Sequence, residues 1–440
     1  MYTVGHLLET SGLSVEIDLY ERLPTPWGLV RAGVAPDHPE KKLIIDRLFA
    51  FALNSPKVCF VGNVEIGKDI RHAELVEWYD AVIYALGAAG DMRMGISGED
   101  LQGCWASREF VGFYNGHPDY SQLQFDLSCS RAIVVGNGNV ALDVARMLTM
   151  PVAQLEKTDI ADAALAVLRR SAVKEVILLG RRGHLQSAFN NAELEELEHL
   201  RDIDIRTSVD NLADDGKVLL EDADWTTRRK VETLRRLATR RTSGKKRIVF
   251  RFLTSPVSLL GRERVEQMLV VHNRLEWDAG GNPTALPTSE QSIINTGLVL
   301  RAIGYRGSHF PGLPFDECRG TIPNRAGRVV DGHGALPRAY VVGWIKRGCR
   351  GVIGSNKQCA RETVNSLLED LQSAGAPASA TDRKRMTTVI RQRKPDVVFF
   401  NEWRQIDHSE RQAGRATGRP RVKLTRNEDL LQCAHSKSTA

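Results

Sequence analysis

The sequence lacks any apolar run long enough to cross a bilayer, any cysteine pair at C-x-x-C spacing and any visible secretory signal. Its seven cysteines are scattered over 440 residues, so neither a zinc ribbon nor a thioredoxin-like dithiol is predicted, and a reducing compartment is favoured. The net charge of +6 does not indicate nucleic-acid binding. We therefore expect a globular cytoplasmic protein of two or more domains, with the mitochondrial matrix as the alternative and no membrane or nucleic acid as partner.

A glycine-rich turn between a strand and a helix is the strongest motif of the chain. Ala132–Val135 is a short apolar, branched run, as in a buried parallel strand, and residues 136–141 (GNGNVA) follow at once as G-x-G-x-x-A. Gly136 permits the tight turn, Gly138 lets the backbone approach a pyrophosphate, and Ala141 allows close packing of helix on strand. The N-terminus of the following helix faces the phosphates. This unit predicts a dinucleotide site.

The next predicted strand, Lys174–Gly180, ends in two arginines, Arg181 and Arg182. An NAD site would place an acidic residue there against the ribose hydroxyls, whereas two arginines suit a 2′-phosphate. We therefore expect NADP as the ligand. The alternative is a solvated basic turn.

The start of the chain has the pattern of a second dinucleotide-binding unit. Tyr2–Thr10 predicts a helix, and Ser14–Tyr20 predicts a strand with Glu21 at its tip, where an acid binds a ribose. We find no preceding strand with its own glycine loop, so we expect this nucleotide site to be N-terminally incomplete. Asp80–Gly87 and Gly297–Gly304 are further buried strands, each followed by a segment that we expect to cross between domains.

The predicted fold is α/β, with one nucleotide-binding domain inserted into another. We expect residues 1–87 and 308–440 to build the outer domain, including a C-terminal extension, and residues 88–307 to build the inner, NADP-binding domain. Ligands should then lie in the cleft between them, at the carboxyl ends of the parallel strands. Within the inner domain we expect a meander of three strands, Val249–Phe252, Val265–Val271 and Arg274–Trp277.

A strongly basic stretch interrupts the inner domain. It is open to two interpretations, a solvated helix and turn or a docking face for an acidic protein. Its basic residues are Arg228, Arg229, Lys230, Arg235, Arg236, Arg240, Arg241, Lys245, Lys246 and Arg247.

Segments spread over nearly the whole chain resemble, in order, the adrenodoxin-reductase-type ferredoxin–NADP+ reductases, and most closely their bacterial FprA-like members. The matching segments are ERLPTPWGLVRAGVAPDHP (21–39), GNGNVALDVAR (136–146), GRRGHLQSAF (180–189), FRFLTSP (250–256), GLPFD (312–316), TIPN (321–324) and VVGWIKRGCRGVIGSNK (341–357). The resemblance implies an oxidoreductase with two Rossmann-like domains, the NADP domain inserted into the FAD domain. It would transfer a hydride between NADPH and FAD and pass single electrons to ferredoxin or an adrenodoxin-like iron–sulfur protein.

The resemblance also implies which residues bind FAD. Glu21 would hold the FAD ribose, while Leu29 and Ile66 would contact FAD through their backbone. Trp344 would cover the flavin ring together with the turn formed by Gly351, Val352 and Ile353.

The implied NADP contacts come from the inner domain. Arg181 and Arg182 would bind the 2′-phosphate, Glu193 would contact NADP, and Gly351 would lie between nicotinamide and flavin. The pyrophosphate would lie against Gly138, Asn139, Val140 and Ala141.

His38 and Glu196 match a histidine and a glutamate that the family links to proton handling near the flavin. The alternatives are a turn histidine held by backbone and an ordinary surface glutamate.

The sequence departs from the family pattern at three places. The first glycine loop is missing, Cys349 and Arg350 replace the proline and threonine of the usual G-P-T-G in the flavin turn, and His184 replaces a usual proline.

Two other functions remain open. The first is an NADP-binding remnant without FAD or reductase activity. The second is a flavoprotein that serves another acceptor, like the reductase portion of glutamate synthase. Chains of the latter kind usually bring cysteine clusters, which this sequence lacks.

Overall fold

The computed structural model of the chain describes residues 1–207, 223–240, 244–349, 351, 353–374 and 383–436. The strands, numbered along the chain, are β1 Ile17–Glu21, β2 Val58–Gly62, β3 Val82–Tyr84, β4 Gly90–Asp91, β5 Cys104–Ala106, β6 Arg131–Val135, β7 Glu175–Leu179, β8 Ile203–Thr207, β9 Lys246–Arg251, β10 Thr254–Leu260, β11 Gln267–Trp277, β12 Pro283–Asn295, β13 Leu298–Arg301, β14 Tyr305–Arg306, β15 Asn324–Arg325, β16 Arg328–Asp331, β17 Gly334–Val341 and β18 Val398–Phe399.

The helices are α1 Tyr2–Glu9, α2 Leu29–Ala32, α3 Pro39–Leu53, α4 His72–Trp78, α5 Ser107–Asn115, α6 Asn139–Thr149, α7 Val152–Leu155, α8 Asp162–Arg169, α9 Asn191–Glu195, α10 Trp225–Thr239, α11 Trp344–Arg347, α12 Asn356–Ala374, α13 Arg383–Arg393, α14 Phe400–Ala416 and α15 Asn427–His435. No helix of the described part is long and apolar enough to cross a membrane.

A six-stranded parallel sheet, ordered β5-β13-β6-β7-β9-β8, carries the glycine-rich turn. Ala132 and Val134 of β6 point to one face, where they pack with α5, α6 and α8. Ile133 and Val135 point to the other face, which is covered by the meander β10-β11-β12. Because both faces are buried, the strand is apolar at every one of these positions, as the sequence predicted.

The prediction that Val249–Phe252 belongs to the meander is wrong. Residues 249–251 end β9, which runs parallel to both β7 and β8 in the large sheet, and Phe252 follows directly after it. The meander begins only after Leu253, whose φ of 51° turns the chain into β10. A local apolar pattern cannot separate these two positions, because the partner strands alone decide the sheet to which a strand belongs.

The outer strands form two hydrogen-bonded sheets. In one, β1 runs parallel to β2, and the C-terminal strand β18 pairs with the other edge of β2 in the antiparallel sense. In the other, β3 runs parallel to β17. Leu7 of α1, Ile17 of β1 and Ile83 of β3 share one hydrophobic cluster, so α1 covers the junction of the two sheets.

The two segments that connect the outer strands with the large sheet are hydrogen-bonded to each other. β4 and β14 form an antiparallel ribbon in which Asp91 faces Tyr305 and Gly90 faces Arg306. The chain therefore leaves and re-enters the outer part at one place.

Candidate active site

The N-terminus of α6 forms an open cradle at the end of β6. Gly136 has a φ of 137°, and a side chain there would collide with the carbonyl oxygen of Ala302. At Gly138, the N-cap of α6, no atom lies within 4 Å of the position that a side chain would take, and no side chain caps the helix. The first amide groups of α6 are therefore available to an anion, which the helix dipole also favours.

Arg181 and Arg182 follow β7 beside this cradle. Their backbone is held at two points, because Asn273 Nδ2 of β11 donates to the carbonyl of Arg181 at 2.8 Å and Leu253 N, just before β10, donates to that of Arg182 at 3.1 Å. Arg181 is exposed and Arg182 is half-buried, and neither guanidinium has a partner among the residues that the structure describes. Two unpaired cations on a fixed backbone suit a phosphate.

A buried polar cluster joins α6 to the loop before α3. Arg146 of α6 is 1% exposed, and its Nε donates to Asp37 Oδ2 at 2.8 Å. Its Nη2 lies 2.7 Å from Asp143 Oδ1 and 2.6 Å from His38 Nε2. Its Nη1 lies 3.6 Å from Glu193 Oε2 of α9. Three segments distant in sequence thus meet around one guanidinium.

His38 lies among three glutamates. Its Nε2 is 3.4 Å from Glu193 Oε2, while its Nδ1 is 3.8 Å from Glu196 Oε1 and 3.6 Å from Glu40 Oε1. Lys41 binds Glu193 more closely, with Nζ donating to Oε1 at 2.9 Å. The structure therefore brings His38 and Glu196 together, and it places Glu193, for which an NADP contact was expected, nearer to the imidazole.

Burial and charge shift the pKa values in this cluster in opposite directions. Burial raises the pKa of Asp143 to about 6, against the opposing effect of Arg146. Burial also disfavours the charged form of Glu193, but the neighbouring His38 and the hydrogen bond from Lys41 outweigh it and lower the pKa of Glu193 to about 2. The pKa of His38 is lowered by burial and raised more strongly by Glu193 and Asp37. The pKa values of Asp143 and Glu193, two carboxyl groups of one cluster, are thus shifted in opposite directions.

The cluster does not have the character of a metal site. Ligand atoms of His38, Asp143 and Glu193 lie within 4.8 Å of one another, close enough to bind one metal ion. The cation at their centre is already supplied by Arg146, which contacts His38 and Asp143 at hydrogen-bond distance.

The residues expected to hold FAD lie on the outer strands and their loops. Glu21 ends β1, where burial raises its pKa and Oε1 accepts a hydrogen bond from Leu23 N at 3.1 Å. Leu29 begins α2 after Gly28, which has a φ of 47°, and is 51% exposed. Ile66 lies in a turn, bridged to Ile70.

Trp344 begins the short helix α11, after Gly343 with a φ of 73°. Its indole Nε1 is buried and has no acceptor within the described ranges. The Tyr305 ring packs against it, with centroids 6.2 Å apart. A bound flavin nucleotide would give the buried Trp344 N–H an acceptor and would cover the exposed side chain of Leu29. The residues present therefore fit this cofactor.

The glycine turn after α11 leads directly into α12. Gly351 has a φ of 83°, and a side chain there would collide with Ser355 Oγ, so this position requires glycine. Ile353 begins a short 3-10 helix that continues into α12. Val352 lies outside the described residues.

The sequence interpretation missed Asp37, Asp143 and Arg146. The available signal was the pair of charged residues in L-D-V-A-R: three positions apart on α6, Asp143 and Arg146 lie on one helix face among apolar neighbours. A charged pair on the buried side of a helix indicates partners from another segment.

The fold and these open sites define a two-domain dinucleotide-binding protein. A comparison with protein-family models finds no match. Among curated proteins, the chain is 45% identical over 429 residues to the NADPH-ferredoxin reductase FprA of Mycobacterium leprae, covering 96% of this chain and 92% of that protein. It is 39% identical over 453 residues to the mitochondrial NADPH:adrenodoxin oxidoreductase of Arabidopsis thaliana, covering 98% and 92%.

Among solved structures, FprA of Mycobacterium tuberculosis in complex with NADPH superposes with a TM-score of 0.93 at 44% identity, covering 98% of this chain and 96% of that one. The chain therefore belongs to the family of NADPH–ferredoxin and adrenodoxin reductases. The expected fold, two Rossmann-like nucleotide-binding domains, is confirmed by this likeness over almost the full length.

Proposed function

We propose that this protein is a flavin-dependent ferredoxin–NADP+ reductase. It moves a hydride between NADPH and FAD and transfers electrons singly to ferredoxin or a similar iron–sulfur protein. The observation that carries the proposal is that α6 presents the dinucleotide cradle at its N-terminus and, through Arg146, contacts the loop at His38. Helix α2, which begins at Leu29, directly precedes that loop. One helix thus connects the nucleotide site with the outer strands.

The NADPH molecule is held at two points in this proposal. The amides at the start of α6 bind the pyrophosphate, and Arg181 and Arg182 bind the 2′-phosphate as bidentate donors. With the adenosine end fixed in this way, the nicotinamide end is positioned in the cleft, where correct placement contributes much of the rate. The pyrophosphate contacts are Gly138, Asn139, Val140 and Ala141.

The outer strands hold FAD. Glu21 would accept hydrogen bonds from the ribose hydroxyls, and the backbone at Leu29 and Ile66 would contact the cofactor. Trp344 would offer its N–H, which has no acceptor within the described residues. When bound, FAD supplies an acceptor for two electrons that can release them one at a time. Gly351 would lie between nicotinamide and flavin when both cofactors are bound.

His38 and Glu196 relay the proton that accompanies electron transfer. Glu193, held charged by Lys41, supports His38 from the other side. Since Glu196 is 31% exposed at its side chain and His38 only 4%, Glu196 connects the buried imidazole with solvent.

We propose domain boundaries at residues 87/88 and 307/308, so that residues 88–307 form the NADP domain and the remainder forms the FAD domain. The ribbon of β4 and β14 supports these boundaries, because it joins both connections by hydrogen bonds. We also propose a cytoplasmic location, supported by the seven cysteines, all within the described residues and all free thiols.

The partner is proposed to dock on basic residues of α10. Part of the basic stretch is used inside the protein. Lys230 and Lys246 donate to carbonyl oxygens, and Arg240 donates to the carbonyls of residues 198, 200 and 203. Arg228 is exposed and has no partner among the described residues. Trp225, one turn earlier, is 64% exposed. A cationic rim beside an exposed aromatic ring suits an acidic protein partner.

The purified chain tests this proposal through its visible spectrum and its turnover. We expect a yellow protein, or one that becomes yellow on addition of FAD, that is bleached by NADPH under anaerobic conditions and reduces ferredoxin. A preparation that stays colourless with added FAD would instead support an NADP-binding protein without reductase activity. A flavoprotein that reduces quinone or another acceptor but not ferredoxin would contradict the proposed partner.

A further inference from the structure

The contact between Arg146 and His38 determines where the imidazole carries its proton. Arg146 Nη2 lies 2.6 Å from His38 Nε2, and both side chains are buried. A guanidinium has only donors, and it keeps its charge throughout the physiological pH range. His38 Nε2 therefore accepts this hydrogen bond, which requires a neutral imidazole with its proton on Nδ1.

The remaining contacts of Arg146 keep the guanidinium in this orientation. Its Nε donates to Asp37 Oδ2 at 2.8 Å, and its Nη2 also donates to Asp143 Oδ1 at 2.7 Å. Asp143 Oδ1 and His38 Nε2 are the two nearest acceptors of the Nη2 hydrogens, and a third, Asp37 Oδ1, is farther away at 3.3 Å. Glu193 Oε2, the competing acceptor for a proton on Nε2, is farther away at 3.4 Å, beyond an ordinary hydrogen bond.

We propose that Arg146 is a positioning residue that holds His38 as the neutral Nδ1–H tautomer. The proton then points toward Glu40 and Glu196, whose Oε1 atoms are 3.6 and 3.8 Å from Nδ1. Their side chains are 60% and 31% exposed, against 16% for Glu193. His38 therefore exchanges its proton with solvent on the Nδ1 side, away from Glu193.

Several ionisable groups act on His38 from the elements packed around it, and any pH profile reflects all of them. They are Asp37, Glu40 and Lys41 from the loop and the start of α3, Asp143 with Arg146 from α6, Tyr114 of α5 behind Asp143, and Glu193 and Glu196 from α9 and the turn after it. The tautomer itself does not depend on the reaction. Its kinetic consequence rests on the proposed reductase function.

The tautomer is measured directly by long-range proton–nitrogen NMR on protein labelled with ¹⁵N-histidine. The His38 signals are assigned by their loss in His38→Gln. At about pH 8, above the ordinary histidine pKa of about 6.5, we expect a single neutral pattern with the proton on Nδ1. An imidazolium pattern, or a neutral pattern with the proton on Nε2, would overturn the proposal in the unmodified protein.

Three variants separate the effect of the Arg146 hydrogen bond on His38 from the effect of the Arg146 charge. In Arg146→Met we expect the single-tautomer pattern to be lost and the His38 titration midpoint to move upward, because a neighbouring cation is removed. In Arg146→Lys, which keeps the charge but not the planar fork, the pattern is lost and the midpoint stays closer to that of the unmodified protein. Arg169→Met, at an exposed arginine paired with Glu156, is the matched control and leaves the spectrum unchanged. An unaltered His38 pattern in Arg146→Met would overturn the proposal, and if that variant does not fold, the unmodified spectrum and Arg146→Lys still decide.

The kinetic consequence is read separately, in the rate of flavin reduction by NADPH after rapid mixing. We expect Arg146→Lys to lower this rate about 10-fold to 100-fold, the effect of a small misplacement, without a matching rise in the Michaelis constant for NADPH. A protein that shows the expected tautomer but no reduction by NADPH would contradict the proposed function and leave the tautomer assignment intact. Normal reduction with the wrong tautomer would do the reverse.

Discussion

Arg31 and Glu410 lie 379 positions apart and form a bidentate ion pair, with N–O distances of 2.8 and 2.5 Å. Arg31 belongs to α2, the helix that begins at Leu29, whereas Glu410 belongs to α14, in the C-terminal part of the chain. Arg421 and the backbone N–H of Leu424 also bind the Glu410 carboxylate, at 3.1 and 2.9 Å. The C-terminal segment therefore fixes the helix that borders the proposed flavin site.

Replacing Glu410 with glutamine should destabilise the protein strongly. The Glu410 side chain is fully buried, and Arg31 is only 9% exposed, so the substitution leaves buried cations without compensation. We expect a loss of about 3–5 kcal/mol in the free energy of unfolding, measured by urea denaturation. Glu156→Gln, which breaks an exposed pair with Arg169, should cost no more than about 1 kcal/mol. Equal effects would show that Glu410 contributes no more than a surface charge.

Replacing Arg181 and Arg182 together with alanine should weaken NADPH selectively. Two hydrogen bonds to a charged group, each worth about 1.5–3 kcal/mol, correspond to a rise of roughly 100-fold or more in the Michaelis constant for NADPH. The constant for NADH, which lacks the 2′-phosphate, should change little. Steady-state kinetics with both nucleotides measure this, with the exposed pair Arg169 and Arg170 replaced by alanine as the control. An equal loss for both nucleotides would contradict the assignment of the 2′-phosphate.

Cys349, in the turn after α11, should be unreactive at neutral pH. Burial raises the pKa of its thiol to about 11, although Arg347 opposes the shift. Since the thiolate is the reactive form, alkylation by iodoacetamide at about pH 8 should modify the exposed Cys318 and leave Cys349 intact. Peptide mass spectrometry distinguishes the two sites. Labelling of Cys349 as fast as Cys318 would mean that the thiol is not protected by burial.

The strands and the glycine turn were predictable because their signals are local. A branched apolar run, a glycine at a φ of 137° and arginines after the next strand lie within about fifty residues of one another, and the structure places them in β6, at Gly136 and after β7. The buried cluster was not predictable in the same way. Asp37, Asp143 and Glu193 meet only after the chain has folded, and no local pattern states that Arg146 binds the loop before α3.

The basic stretch shows the limit of reading charge from sequence. A run of arginines and lysines is open to interpretation as a solvated face or a docking face, yet Lys230 is buried and donates to the Ser187 carbonyl at 2.7 Å. Arg229 is paired with Glu195 at 2.6 Å. The two-residue strand β18 was missed as well, because two residues give no period and only its pairing with β2 identifies it.

Glu193 should control the titration of His38 more strongly than Glu196. Glu193 raises the pKa of His38 and lies 3.4 Å from Nε2, whereas Glu196 is 3.8 Å from Nδ1 and more exposed. Glu193→Gln should therefore move the His38 midpoint to lower pH, and the acid limb of the pH profile for hydride transfer should move with it. Glu196→Gln is the matched substitution, and its shift in the NMR titration of His38 should be smaller. A larger shift for Glu196→Gln would reverse the two roles.

Arg228→Glu should weaken the interaction with ferredoxin in a salt-dependent way. Arg228 is exposed on α10 and unpaired in the described part of the chain, so its reversal changes the field that an acidic partner meets. We expect the Michaelis constant for ferredoxin to rise several-fold at low salt, because charges at the rim act mainly on association. The difference should disappear near 1 M salt, where the screening length falls to about 3 Å. Arg170→Glu, the same charge change at the end of α8, is the control. If both variants behave alike, net charge and not α10 governs the encounter, and a difference that persists at high salt would indicate a contact other than a screened charge.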